Sequence, residues 1–97
     1  RRDLLVRGLN ALPGVECPVP AGAFYVFPDF SALLEKHGFS SRMFADRLLE
    51  EHGVAAIDGA AFGKRGEGCV RLSFASAQAD LDAAVTRIGE AVAQLAG

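Results

Sequence analysis

The residue best suited to bind a ligand is an arginine in the middle of a segment that has the pattern of a β-strand. In residues 68–75 (GCVRLSFA), Arg71 lies between the apolar residues Val70 and Leu72, and small residues stand two positions away on either side. With a period of two residues, one face of this strand is apolar and the other carries the guanidinium among small side chains. A guanidinium stays charged in proteins and matches the two oxygens of a carboxylate. The pattern therefore predicts a carboxylate clamp at Arg71.

The same alternation is also typical of a strand with one solvated face, on which Arg71 would contribute only to solubility. The pattern of this segment does not separate the two interpretations. The elements that surround the strand therefore have to decide between them.

Length and composition limit the classes of protein to consider. A chain of 97 residues fits one domain, 1–97, and 51% hydrophobic with 23% charged residues is typical of a folded globular domain. The net charge of −2, without a basic block, predicts neither a nucleic-acid partner nor a membrane partner. Cys17 and Cys69 lack the spacing of metal ligands, so we expect buried free thiols and no metal site. The sequence has neither an apolar run of membrane-spanning length nor the pattern of a signal peptide, so we expect a cytoplasmic domain.

The elements predicted around Arg71 form an α+β domain. Helices are predicted at 2–11, 30–37, 40–52 and 77–95, and strands at 15–20 (an edge strand at most), 23–27, 54–57 and 68–75. We expect a two-layer sandwich with a small, mostly antiparallel or mixed sheet of about three or four strands and helices packed on one face. If strands 23–27 and 54–57 run parallel, the Arg71 strand lies between them and Arg71 faces away from the helices.

Several local signals support these helices. Ser31 is the predicted cap of the second helix, Ser40 or Ser41 of the third and Ser76 of the last, and Gly38 and Gly53 are the predicted stops. The predicted apolar sides are Met43, Phe44, Leu48 and Leu49 in the third helix and Leu81, Val85, Ile88, Val92 and Leu95 in the last. His37 and His52 stand at helix ends, where a cation suits the helix dipole, so we interpret them as structural residues rather than catalysts.

Two further features bear on organisation. The first helix starts without a methionine or a capping residue, which predicts that residues 1–12 are the end of an interdomain helix and that the chain is the last domain of a longer protein. The loop over residues 58–68 contains four glycines after Asp58, but it lacks the Gly-Lys-Ser/Thr of a P-loop, so a nucleotide site is not expected.

Four segments in order resemble the C-terminal small domain of class I (fold type I) pyridoxal-phosphate-dependent aminotransferases, in the aspartate aminotransferase branch. They are GAFYVF at 22–27, LLEEHGVA at 48–55, GAAFG at 59–63 and VRLSFA at 70–75, and the likeness covers nearly all of the chain. The resemblance implies that Arg71 matches the arginine that holds the substrate α-carboxylate. It also places Phe24 near the substrate and Phe62 in a loop bordering the site, although both aromatics could equally serve as core or loop-anchoring residues. Where this chain has Asp58, the family usually has proline.

The resemblance also implies what the chain lacks. The lysine that binds pyridoxal 5'-phosphate, the acid that pairs with the pyridine nitrogen and the phosphate-binding residues belong to the large domain. Lys36 and Lys64 are the only lysines, and neither has a context that would lower the pKa of an amine. We therefore expect no catalytic and no cofactor-binding residue in this chain, and no activity of the chain in isolation.

The function that the resemblance implies is the transfer of an amino group between an L-amino acid and a 2-oxo acid through pyridoxal phosphate. The partners would be these substrates, the large domain of the same protein and a second subunit in a homodimer. A related pyridoxal-phosphate-dependent lyase could carry the same clamp. A free-standing α+β ligand-binding module is the third possibility, and the identity of the amino acid stays open.

Overall fold

The computed structural model describes residues 2–18, 25–73 and 78–95 of the chain. In chain order the elements in these ranges are α1 (Arg2–Asn10), β1 (Tyr25–Val26), α2 (Ser31–His37), α3 (Ser41–His52), β2 (Ile57–Asp58), two short 3₁₀ turns (Gly59–Phe62 and Lys64–Gly66), β3 (Val70–Ser73) and α4 (Gln78–Leu95). The predicted α+β class is confirmed.

The sheet has the order β1-β3-β2, with β3 antiparallel to both neighbours. Tyr25 pairs with Ser73 in β1–β3, and Ile57 pairs with Arg71 in β2–β3. The predicted central position of the Arg71 strand is therefore correct. β1 and β2 run parallel to each other, as expected from a chain that crosses over between them.

One face of this sheet belongs to the hydrophobic core. Val26, Val70 and Leu72 are buried there and meet the buried sides of the helices. Phe30 and Phe44 lie at the centre of the core, with their ring centroids 4.8 Å apart. The last helix contributes its predicted apolar side: Leu81, Ile88 and Leu95 are buried, and Val85 and Val92 pack against them. The opposite face of the sheet is consequently the one that carries Arg71.

The third helix is capped as predicted at both ends. The hydroxyl of Ser40 accepts a hydrogen bond from the Met43 amide at 3.1 Å, and Gly53 ends the helix with a φ of 65°. The predicted cap of α2 is wrong, because the Asp29 carboxylate accepts the hydrogen bond from the Ser31 amide at 2.8 Å. Ser31 is thus the first helical residue, and the predicted stop at Gly38 is confirmed by its φ of 75°.

Three other predictions are corrected. Met43 and Leu49 are 50% and 57% exposed, so they do not share the buried side of α3 with Phe44 and Leu48. The strand predicted at 54–57 begins only at Ile57, as β2 (Ile57–Asp58). Val54 belongs to the end of α3 instead, because its amide donates to the Leu48 carbonyl at 2.8 Å. The edge strand predicted at 15–20 is a single bridge between Glu16 and Asp29 within the described residues.

The predicted cap Ser76 lies outside the described residues. Among the helices that the structure describes, none is long and apolar enough to cross a lipid bilayer.

Candidate functional site

Arg71 is held on the open face of the sheet by its neighbours in β3. Val70 and Leu72 are buried in the core on either side of it. Because side chains alternate along a strand, anchoring these two residues turns the intervening guanidinium to the other face. The burial of these two neighbours therefore fixes the face of the sheet on which Arg71 lies.

Two aromatic rings lie against the guanidinium. The Cζ atom of Arg71 lies 4.3 Å from the ring centroid of Tyr25 and 4.8 Å from that of Phe62. Tyr25 reaches this position because it pairs with Ser73, which puts it diagonally across from Arg71 on the same face. Cation–π contacts of this kind are worth about 0.5–1 kcal/mol at exposed sites. The rings restrict the plane in which the guanidinium lies.

Phe62 arrives from a tightly folded loop rather than from a strand. The Gly59 amide donates to the Cys69 carbonyl at 2.8 Å, and the Cys69 amide donates to the Gly66 carbonyl at 3.0 Å. A Cβ atom on Gly66 would collide with the backbone carbonyl of Gly59, so the two segments approach closely because both residues are glycine. The glycines of this loop thus serve chain packing, and the Phe62 ring meets Phe27 edge-on with centroids 5.8 Å apart.

The guanidinium borders an open, largely apolar pocket of about 360 Å³. Its lining comes from β1, β2, β3 and the outer side of α3: Tyr25, Leu49, Ala55, Ala56, Ile57, Arg71 and Ser73. Within residues 2–18, 25–73 and 78–95, no carboxylate forms an ion pair with Arg71. The guanidinium can therefore bind a carboxylate from outside this part of the chain by donating two charge-assisted hydrogen bonds to it.

Of the residues predicted for the site, the structure brings Arg71 and Phe62 together. Phe24 lies outside the described residues. Sequence reasoning missed Tyr25, which makes the shorter of the two ring contacts with Arg71. The available signal was the position of Tyr25 in an aromatic strand, but its side of the sheet depends on a pairing register that the sequence does not state.

The other chemically able side chains lie elsewhere. The imidazole of His52 is 3.0 Å from the Gln94 amide oxygen and joins the end of α3 to α4, and His37 is the last residue of α2, so both predicted helix-end positions are correct. Cys17 is buried and Cys69 is half-buried, and both are free thiols. Burial raises the pKa of the Cys17 thiol to about 11, and burial together with Asp29 raises that of Cys69. Neither thiol supplies an appreciable thiolate at neutral pH.

The described residues do not fit the binding of a carbonyl cofactor or a metal. Lys36 and Lys64 are exposed, one at the end of α2 and one in the glycine loop, whereas an amine that forms a Schiff base is activated by desolvation or a neighbouring cation. In the same ranges no cluster of His, Cys, Asp and Glu could hold a metal ion.

A model of the family "Aminotransferase class I and II" matches residues 1–88. The chain belongs to this family. It is 44% identical over 92 residues to the aspartate aminotransferase of Pyrococcus horikoshii, covering 95% of this chain and 22% of that protein. It is 46% identical over 94 residues to the aspartate/prephenate aminotransferase of Cereibacter sphaeroides, covering 91% of this chain and 23% of that protein.

Solved structures of the family share the fold. The crystal structure of the aspartate aminotransferase from Rhizobium meliloti superposes with a TM-score of 0.84 at 38% identity, covering 95% of this chain and 24% of that one. A PLP-bound putative aminotransferase from Clostridium difficile gives a TM-score of 0.81 at 29% identity, covering 94% and 23%. The chain thus spans about a quarter of the length of each of these proteins.

Proposed function

We propose that this chain is the substrate-clamping small domain of an aminotransferase that moves an amino group between an L-amino acid and a 2-oxo acid. The observation that carries the proposal is the guanidinium of Arg71, which contacts the rings of Tyr25 and Phe62 and has no ion-pair partner in the described part of the chain. Family membership supports the reaction class, and the position of the guanidinium supports the role.

The role of Arg71 is to bind and orient the α-carboxylate of the substrate. Two parallel N–H···O hydrogen bonds fix both the position and the plane of a carboxylate. Correct orientation of reactants is worth about 7–11 kcal/mol in favourable systems. Binding a charged group in a cleft also provides free energy that can drive the closure of one domain on another.

Pyridoxal phosphate is the cofactor of the proposed enzyme, where it supplies the electron sink for the reaction. Since Lys36 and Lys64 are exposed, we assign its binding to the large domain of the same protein and expect the isolated chain to be inactive. We further propose that this segment lies at the C-terminal end of the full-length protein. The full-length protein is proposed to be a homodimer and to be cytoplasmic. The sequence of the full-length protein, its mass in solution and its location after cell fractionation test these three statements.

The kinetic test compares two arginines that both stack on aromatic rings. In the full-length protein, Arg71→Lys is expected to lower kcat/KM for L-aspartate and 2-oxoglutarate by about two to three powers of ten, because an ammonium cannot form the paired hydrogen bonds. Cofactor absorbance should stay intact. The control Arg47→Lys alters an arginine that stacks on Phe39 at 4.6 Å, and it should leave kcat/KM within about twofold.

The products separate the alternatives. Formation of L-glutamate and a new 2-oxo acid supports transamination. Release of ammonia with a 2-oxo acid would instead indicate a lyase, and ligand binding without either product would indicate a binding module. An Arg71→Lys variant with near wild-type kcat/KM would refute the clamp.

A further inference from the structure

Asp58 connects the loop that carries Phe62 to the third helix. Its Oδ1 atom accepts a hydrogen bond from the Ser41 hydroxyl at 2.6 Å and another from the Ala60 amide at 3.0 Å. Ser41 is the first residue of α3 and is only 6% exposed, so its side chain is held in the interior. A single carboxylate oxygen therefore joins a fixed point on a helix to the start of the loop.

The distance along the chain from this junction to the site is short. Asp58 caps the 3₁₀ turn Gly59–Phe62, and the Gly63 amide closes that turn by donating to the Ala60 carbonyl at 3.2 Å. Phe62 is the last residue of the turn, and its ring lies 4.8 Å from the Cζ atom of Arg71. The position of the ring thus depends on how the turn is held at Asp58.

The carboxylate of Asp58 does not act on Arg71 directly. Asp58 pairs with Val70 in the sheet, and Val70 is buried on the helix side. Since facing residues of paired strands point to the same side, the Asp58 side chain lies on the helix side as well, where it meets Ser41. The turn that Asp58 caps ends at Phe62, which connects Asp58 to the site.

We propose that the hydrogen bond between Ser41 and Asp58 sets the position of Phe62 against Arg71, so that Asp58 is a positioning residue of the carboxylate clamp. This inference rests on the proposed function of Arg71. Loss of the bond frees the turn, and the guanidinium then spends less time in the orientation that receives a carboxylate. Such a loss weakens binding of substrate and transition state alike, which raises KM while kcat stays unchanged.

The experiment uses the full-length protein with L-aspartate as the amino donor. Asp58→Ala is expected to raise KM for L-aspartate about fivefold, which corresponds to the loss of one capping interaction, while kcat stays within about twofold. Asp58→Asn keeps an oxygen that can accept both hydrogen bonds, so it should restore KM to within about twofold. Ser41→Ala removes only the contact to the helix and should raise KM about threefold.

The neighbouring Ser40 provides a matched control. Its hydroxyl caps α3 by accepting from the Met43 amide, but no described contact joins its side chain to the Phe62 loop. Ser40→Ala should therefore lower the thermal midpoint and leave KM unchanged. A purely structural role of Asp58 would make Asp58→Ala behave in the same way, with a lower midpoint and an unaltered KM, and would overturn the inference.

Failure of the inference is distinguishable from failure of the proposed function. If Arg71→Lys abolishes most of the activity while Asp58→Ala and Ser41→Ala have wild-type KM values, only the positioning role is refuted. If Arg71→Lys is also fully active, the clamp itself is refuted. Should Asp58→Ala not fold, Ser41→Ala against Ser40→Ala decides the question, since each removes one hydroxyl.

Discussion

Arg47 and Arg71 both stack on aromatic rings but have different electrostatic surroundings. Arg47 lies 4.6 Å from the ring centroid of Phe39, and its Nε atom is 3.3 Å from a carboxylate oxygen of Glu51. Arg71 has two rings at similar distances, and no acid of the described ranges pairs with it. Arg71 therefore differs from Arg47 by lacking such an acid within these ranges, and the proposed clamp rests on this difference.

The elements that carry the two arginines explain the difference. On α3, Glu51 stands one turn after Arg47, at the spacing that brings two side chains together on a helix. The residue directly across from Arg71 is Ile57 of β2, and on the other side of β3 Tyr25 of β1 pairs with Ser73, two residues after Arg71. Apolar and small neighbours cannot neutralise the charge. Arg71 on the sheet thus faces Ile57, whereas Arg47 on the helix faces the carboxylate of Glu51.

Among changes to the neighbours of the two arginines, the largest effect should come from giving Arg71 the kind of partner that Arg47 has. Ile57→Glu places a carboxylate directly across the strand pair, where it competes with the substrate at an effective concentration in the millimolar range or above. KM for L-aspartate in the full-length protein should rise about tenfold. The control Ile57→Gln introduces a side chain of the same shape as Glu but without its charge, so it should leave KM within about twofold. Equal effects of the two substitutions would show that charge is not the cause.

A smaller effect is expected from removing one of the two aromatic rings that contact Arg71. Tyr25→Leu should raise KM about two- to fivefold, the equivalent of one exposed cation–π contact, and Tyr25→Phe should restore it because the ring is retained. The counterpart Phe39→Leu removes the ring beside Arg47. It should lower the midpoint of thermal unfolding and leave KM unchanged. If Tyr25→Phe were as impaired as Tyr25→Leu, the hydroxyl rather than the ring would matter.

The smallest effect should come from releasing Arg47. Glu51→Gln breaks an exposed pair on a helix surface, which contributes about 0.3–0.5 kcal/mol. Urea unfolding should detect a decrease of this size in the free energy of unfolding, and steady-state kinetics should detect no change in KM. A rise in KM would show that Arg47 also contributes to the site.

Periodicity predicted the layers of the fold because burial imposes it. The apolar side of α4 and the alternation of β3 were readable, so the central strand and the outward direction of Arg71 followed from residues such as Val70 and Leu72. The stops at Gly38 and Gly53 were readable as well, since both adopt left-handed backbone angles that favour glycine.

The contacts made by Arg71 were less predictable because they depend on register and loop path. Tyr25 reaches the guanidinium only through its pairing with Ser73, and Phe62 only through the close approach of Gly59 and Gly66. The hydrogen bond between Ser41 and Asp58 likewise follows from tertiary proximity over 17 positions in sequence. None of these distances has a local signature.

A crystal structure of the full-length protein with bound L-aspartate tests the carboxylate clamp most directly. The expected result is a bidentate contact, with both α-carboxylate oxygens about 2.7–2.9 Å from the guanidinium nitrogens of Arg71 and the rings of Tyr25 and Phe62 on either side. A carboxylate held by other residues, with Arg71 extended into solvent, would contradict the account.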